Sequence, residues 1–225
     1  MNVTLAILNR NDVEGCRVVI PQIDRSLFSE IFVVDGNSTD GSQEFFATQN
    51  ITCFKDITGG RGGAMRFAIA KASGTHLIFL SSDGEEDPKD LPKITQCFAE
   101  DADMVIASRL AKGAYHKGQA HWYYLHRLLY LKLITFLINI LFKANLTDCW
   151  NGYRGFKLEA VRAVPTDAQD FMIEAQQTIR FLKAGYKVVE FPTHEGERVA
   201  GQSSNPVLKS GFLHFIMIFQ EWLKK

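Results

Sequence analysis

Two short stretches, Asp35-Gly36-Asn37-Ser38-Thr39-Asp40-Gly41 and Ser81-Ser82-Asp83-Gly84-Glu85-Glu86-Asp87-Pro88, concentrate carboxylates and glycines. Clustered carboxylate oxygens are hard donors of the kind that hold Mg2+ or Mn2+. A cation so held is suited to binding a nucleotide diphosphate. A third stretch, Gly59-Gly60-Arg61-Gly62-Gly63-Ala64, opens a helical segment. Its glycines, Gly62 among them, permit close backbone approach, and a helix N-terminus favours an anion. Arg61 adds a fixed positive charge suited to a diphosphate. The Gly-Lys-Ser/Thr ending of a Walker loop is missing.

The elements around these stretches place them on one edge. Ile31-Phe32-Val33-Val34 precedes the first acidic stretch and His76-Leu77-Ile78-Phe79-Leu80 precedes the second. Both runs are apolar without alternation, the pattern of strands covered on both faces. The acidic loops therefore sit at the carboxyl ends of strands, where open α/β sheets bind ligands. Strands are predicted at 3–8, 31–35, 51–54, 76–81 and 103–107. Helices are predicted over 13–23, from near Thr39-Asp40-Gly41-Ser42, over 64–72 and over 88–99. This alternation predicts an α/β fold with a mainly parallel, doubly wound sheet flanked by helices.

After residue 110 the pattern changes to two apolar helical segments, 122–143 and 207–223, with a strand at 187–192 between them. In the first segment Lys132, Thr135, Asn139 and Lys143 recur at helical spacing as one narrow polar stripe. Its length is near the ~20 residues a bilayer requires. Arg127 and Lys132 would each carry about 2.5–3.5 kcal/mol at the bilayer centre. A single crossing would also separate candidate site residues onto two sides. The segment therefore reads as a buried core helix or a helix lying on a membrane surface.

Composition narrows the class. The chain has 225 residues with 25 basic and 25 acidic side chains, so it has no global basic field for nucleic acid. Cys16, Cys53, Cys97 and Cys149 show no CxxC spacing and read as the reduced thiols of a cytosolic protein. Met1 leads directly into a strand, with no pattern of a secretory leader. The expected location is cytoplasmic, with a peripheral seat on the cytoplasmic membrane face left open.

In order along the chain, these strings resemble family 2 glycosyltransferases of the GT-A fold, particularly the dolichyl-phosphate mannose synthase-like branch. The resemblance implies a single domain over 1–225, with a nucleotide-sugar half at 1–110 and an acceptor half at 111–225. Asn11 and Asp12 resemble the Asn-Glu pair at the nucleotide end of the cleft, although Asp12 also reads as a helix N-cap. Asp35 resembles the carboxylate that meets base or ribose, while turn geometry accounts for Ser38, Thr39 and Asp40. Ser81, Asp83 and Glu85 fall on the functional positions of Asp-x-Asp-x-Gln. Asp83 and Glu85 are then the metal carboxylates, with Ser81 replacing the first aspartate. Glu86 and Asp87 before Pro88 read as a helix-start cluster.

Arg109 and Arg127 resemble arginines that meet acceptor or donor phosphates, a surface ion pair being an equal reading for Arg109. Asp148-x-x-Asn151-Gly152-Tyr153-Arg154 is similar to the acceptor-side loop, where Trp150 could stack on a sugar or isoprenoid. Glu174 matches an acidic position, and Glu190 reads as structural. Arg198-x-x-Gly-x-Ser203 resembles a loop that reaches back over the diphosphate. His194 reads as a solvated loop histidine or a metal ligand. The resemblance implies an inverting, Mg2+- or Mn2+-dependent transfer of sugar from a nucleoside diphosphate donor. Catalytic expectations fall on Asp83, Glu85 and Arg198, with Asp148 or Glu174 as base for a hydroxyl acceptor. A polyprenyl phosphate acceptor needs no base. A saccharide acceptor and an inactive sugar-nucleotide-binding protein are the rival readings.

Overall fold

The computed structural model describes residues 1–56, 59–116, 122–200 and 207–224. Nine strands are described: β1 (Val3–Asn9), β2 (Glu30–Asp35), β3 (Thr52–Lys55), β4 (His76–Ser81), β5 (Met104–Ser108), β6 (Tyr115–His116), β7 (Arg154–Lys157), β8 (Val188–Pro192) and β9 (His194–Glu195). Seven of them form one sheet in the order β3-β2-β1-β4-β7-β5-β8, and β6 pairs with β9 separately. Every pairing in the large sheet is parallel except those of β7, which runs antiparallel between β4 and β5.

The helices are α1 (Val13–Val19), α2 (Ser42–Thr48), α3 (Gly60–Lys71), α4 (Leu91–Ala99), α5 (Trp122–Phe142), α6 (Leu158–Ala163), α7 (Ile173–Lys183) and α8 (Val207–Leu223). Alternate residues of each strand feed opposite faces of the sheet. Leu5 and Ile7 of β1 pack with Cys16 and Val19 of α1, Phe46 of α2 and Ile94 of α4. Ala6 and Leu8 pack with Met65 of α3 and with Ile173 and Phe181 of α7 on the other face. A third core joins α5, α7 and α8 around Ile134, Ile179 and Ile218.

Several boundaries differ from the sequence reading for local reasons. The first helix stops at Val19 because Pro21 turns the chain into a 3-10 turn, Ile20–Gln22. The helix after the glycines begins at Gly60 rather than Ala64. Pro88 starts a 3-10 turn before α4. Strand β7 carries no apolar run. Its Gly155 lies so close under α4 that a Cβ would meet Phe98 Cζ at 2.7 Å. Helices α6 and α7 also lack an apolar signature, since α7 buries Glu174, Gln176, Gln177 and Thr178.

Among the described residues no helix is long and apolar enough to cross a membrane. The polar stripe expected on the 122–143 segment is divided in the structure. Thr135 is 4% exposed beside Cys149, and Asn139 brackets the backbone of Leu146, while Lys132 and Lys143 face solvent. All four cysteines are free thiols.

Candidate active site

The register of the parallel strands sets the loops side by side. Asn9 of β1 pairs with Asp35 of β2, and Leu8 pairs with Ser81 of β4. Asn9 joins all three strand ends. Its Nδ2 donates to Asp35 Oδ1 at 2.7 Å, and its Oδ1 accepts from Ser82 Oγ at 2.7 Å. Asp35 is fully buried. Its oxygens also accept from Ser38 N, Ser38 Oγ and Gln43 Nε2. The carboxylate therefore staples its own loop, with Asn9 as the link to the acidic loop. Asn11 stitches the same edge, its Oδ1 accepting from Thr39 N at 2.8 Å.

Asp12 stands at the N-cap position of α1 but makes no side-chain cap bond. It points instead at Arg198, as do Asp83 and Glu85. Arg198 Nη2 lies 2.6 Å from Asp83 Oδ2, Nη1 lies 3.3 Å from Asp12 Oδ1, and Nε lies 3.4 Å from Glu85 Oε1. Three carboxylates from two strand-end loops thus converge on one guanidinium. Burial opposes the charge on Arg198, but Asp83, Glu85 and Asp12 hold it above its ordinary pKa. Burial, opposed by Arg198, leaves the Asp12 carboxyl above its usual range.

The segment carrying Arg198 lies directly on the acidic loop. Gly196 N donates to Glu85 O at 2.8 Å, and Val199 N donates to Asp83 O at 3.0 Å. Gly84, at φ +85°, admits no side chain here, since a Cβ would meet Val199 Cγ2 at 2.5 Å.

Glu86 corrects the reading of that residue as part of a helix start. Asp87 does cap the 3-10 turn through Lys89 N, but Glu86 turns inward. Its carboxylate accepts from Ser81 N at 2.6 Å and Ser81 Oγ at 3.2 Å. Burial and the neighbouring Asp83, opposed by Arg61, push Glu86 up to about 8. Ser81, expected at a functional position of the metal string, thus engages the carboxylate of Glu86 five residues on.

Arg61, in the first turn of α3, pairs through Nε with Glu174 Oε1 and lies over the Phe171 ring, 5.6 Å from its centroid. Burial opposes its charge, while Glu174, Glu86 and Asp83 favour it. Glu174 is 1% exposed, and its Oε2 has no hydrogen-bond partner. The glycines before and after Arg61 serve a close approach to the 168–169 backbone. Gly62 N donates to Gln169 O, and a Cβ on Gly62 would meet Ala168 O at 2.1 Å.

Arg109, Asp148 and Arg154 occupy buried networks beside this centre. Asp148 is 0% exposed and holds Arg109 with both oxygens, at 2.7 and 3.0 Å. Burial raises its pKa, but the Arg109 guanidinium outweighs it and keeps the carboxyl below the usual range. Arg109 also approaches Glu195 at 3.7 Å. Glu190 accepts from the Thr147 and Asp148 amides, the structural role expected of it. Arg154 is 0% exposed and donates to the carbonyls of Asn151, Cys149 and Glu174. It ties the 149–151 loop to the start of α7.

Trp150 is buried against the rings of His214 and Tyr130, with centroid distances of 4.2 and 5.3 Å. His194 is exposed and stands edge-on to Tyr115 in the β6–β9 pair. Ser203 and the side chain of Arg127 lie outside the described residues.

The donor chemistry at Asp12, Asp83 and Glu85 fits a hard divalent cation. With the guanidinium between them the carboxylates stand apart. Among the described residues no group of three or more His, Cys, Asp or Glu side chains is close enough to share one ion. Arg198 occupies the space between the three carboxylates.

Comparisons with known proteins bear on the family and the fold. The sequence profile described as glycosyl transferase family 2 matches residues 19–164. An undecaprenyl-phosphate mannosyltransferase of Micrococcus luteus is 26% identical over 217 residues, covering 90% of this chain and 87% of the relative. A dolichol-phosphate mannosyltransferase of Pyrococcus furiosus is 26% identical over 214 residues, covering 90% of this chain and 59% of the relative. Among solved structures, the glucosyl-3-phosphoglycerate synthase of Mycobacterium tuberculosis, in complex with Mn2+, UDP and phosphoglyceric acid, superimposes with a TM-score of 0.75. That match has 16% identity and covers 98% of this chain and 78% of the other.

Proposed function

The chain belongs to glycosyl transferase family 2, and on that premise we propose that it moves a sugar, with inversion, from a nucleoside diphosphate donor to a polyprenyl phosphate. The observation that carries this reading is the convergence of Asp12, Asp83 and Glu85 on one point at the carboxyl edge of the sheet. Relatives named as undecaprenyl-phosphate and dolichol-phosphate mannosyltransferases support the acceptor class. The acceptor arm of the assay decides that part.

In this reading Asp83 and Glu85, with Asp12 beside them, would hold Mg2+ or Mn2+. The bound cation supplies neutralisation of the diphosphate leaving group. Arg198, once displaced from the carboxylates, would offer its charge to the diphosphate from the segment that lies on the acidic loop. Arg61 offers a second fixed positive charge from the start of α3, and the two together favour charge developing on the leaving group. A lipid phosphate arrives already anionic and attacks the anomeric carbon from the face opposite the diphosphate. No general base is required of the chain.

A saccharide acceptor would require one. Glu174 suits that role better than Asp148, because Glu174 Oε2 has no partner while both Asp148 oxygens hold Arg109.

The test is a screen of nucleoside diphosphate sugars with Mn2+, with and without a short-chain polyprenyl phosphate. The expected result is sugar transfer that depends on the lipid phosphate and is lost at least ~100-fold in Asp83→Asn. Release accelerated by a saccharide and indifferent to the lipid phosphate refutes the acceptor.

A further inference from the structure

Helices α5 and α8 carry apolar side chains on both faces. Leu131, Ile134 and Ile138 of α5 turn into the third core with Met217 and Ile218 of α8. The reverse faces hold a second set. Leu129, Leu133, Phe136 and Ile140 of α5 are 51–61% exposed, and Phe212, Ile216, Phe219 and Leu223 of α8 are 38–73% exposed. Both quartets follow the spacing i, i+4, i+7, i+11, which draws one straight stripe along a helix. The two helices pack on each other and both pack on α7. Their stripes therefore lie on the outward side of a two-helix layer. An exposed apolar surface of this kind marks a site of association.

The charges around the stripes identify the occupant. Helix α5 contains no Asp or Glu. The single acid of α8, Glu221, is 2% exposed and pairs with Arg180. Lys132 is exposed on one flank of the α5 stripe, and Lys143 is exposed just past the end of the helix. A face that is apolar along its middle and cationic at its margin, with the exposed Asp167 beside Ile216 paired to Arg180 at 2.8 Å, complements an anionic lipid surface. Long lysine side chains reach headgroups while the apolar stripe enters the acyl boundary. An isologous contact between two copies would instead oppose the same lysines.

We propose that the outer face of α5 and α8 docks on an anionic bilayer, with Leu133, Phe136, Ile216 and Phe219 at the depth of the acyl boundary. This deepens the lipid-phosphate reading of the acceptor and rests on it for its purpose, but the test involves no sugar transfer.

The full chain is sedimented with vesicles of phosphatidylglycerol and phosphatidylcholine, and separately with phosphatidylcholine alone, neither containing polyprenyl phosphate. The expected result is sedimentation with the anionic vesicles that weakens with salt. Phe136→Ser combined with Phe219→Ser lowers the partition coefficient at least ~10-fold. Lys132→Gln combined with Lys143→Gln lowers it about fivefold per lysine on anionic vesicles only. Circular dichroism confirms the fold of each variant, and Leu133→Ser with Ile216→Ser replaces the phenylalanine pair if that pair unfolds.

Wild-type protein remaining in the supernatant with both vesicles overturns the proposal, as do serine variants that sediment like wild type. A dimer on gel filtration that the serine variants dissociate, without vesicle binding, assigns the face to a second copy instead. Vesicle binding that persists while no lipid phosphate is glycosylated faults the acceptor assignment and leaves the docking face standing.

Discussion

Arg198→Ala tests the centre of the site most directly, because it removes the guanidinium and leaves three carboxylates facing one another. The Arg198 side chain is 21% exposed, and those of Asp83, Asp12 and Glu85 are 11%, 14% and 25% exposed. An exposed pair contributes about 0–1 kcal/mol, and breaking a buried one costs about 3–5 kcal/mol. Partial burial with three partners places the loss at about 2–3 kcal/mol. For a chain of this size each kcal/mol shifts Tm by about 2–4 °C, so the variant should melt roughly 5–10 °C lower in chelator.

The effect of a divalent cation should then be opposite in rank. The vacated carboxylates suit Mn2+, and a ligand at 100 times its Kd restores about 2.7 kcal/mol. In the wild type the same ion must first displace Arg198. The Mn2+-induced rise in Tm is therefore larger in Arg198→Ala than in the wild type. Thermal melts with EDTA and across a Mn2+ titration measure both quantities. A variant as stable as wild type in EDTA, or an equal Mn2+ response in the two proteins, refutes the shared-site reasoning.

Further substitutions probe the surrounding supports. Gly62→Ala drives a Cβ against two backbone carbonyls, at 2.1 and 2.6 Å, and should lower stability by about 3 kcal/mol in urea unfolding. Asp35→Ala removes the acceptor for Asn9, Ser38 and Gln43 and should destabilise by a similar ~3 kcal/mol, read from the same curves. Asp148 is held below the usual carboxylate range by Arg109, so its stabilisation is present above the unfolded pKa of about 3.9 and is lost as pH falls through the lower folded value. Asp148→Asn should flatten that acid limb in a stability-against-pH series. An unchanged limb would show that other carboxylates set it.

The first hundred residues were readable because their strands are short apolar runs and their loops begin with turn chemistry. The resemblance gave Asp83 and Glu85 as metal carboxylates and Arg198 as a cation over the diphosphate, and the structure instead pairs Arg198 with Asp83 across 115 residues of sequence. The second half was less legible because its polar residues face inward. Glu174, Gln177 and Arg154 are buried, which masks the periodicity that would have announced α7 and β7. Glu86 was hidden for a related reason. A run of acids before proline resembles a helix start, and only the fold shows that one member turns back to Ser81. Asn9 gave no signal beyond its place at a strand end, although its two amide atoms join three strands.

The antiparallel insertion of β7 has a consequence for how the chain reaches its native state. Strands β4 and β5 never touch as partners, because β7 fills the lane between them. A ribosome that has released the first 110 residues has made five strands of the large sheet with its midline missing. Closure waits for Arg154–Lys157, some fifty residues after β5. Pairing across such separations slows folding and exposes sticky edges meanwhile. The first 110 residues are thus no autonomous module: expressed alone they should stay molten, and adding the remaining segment as a separate polypeptide should rescue order in both fragments at once.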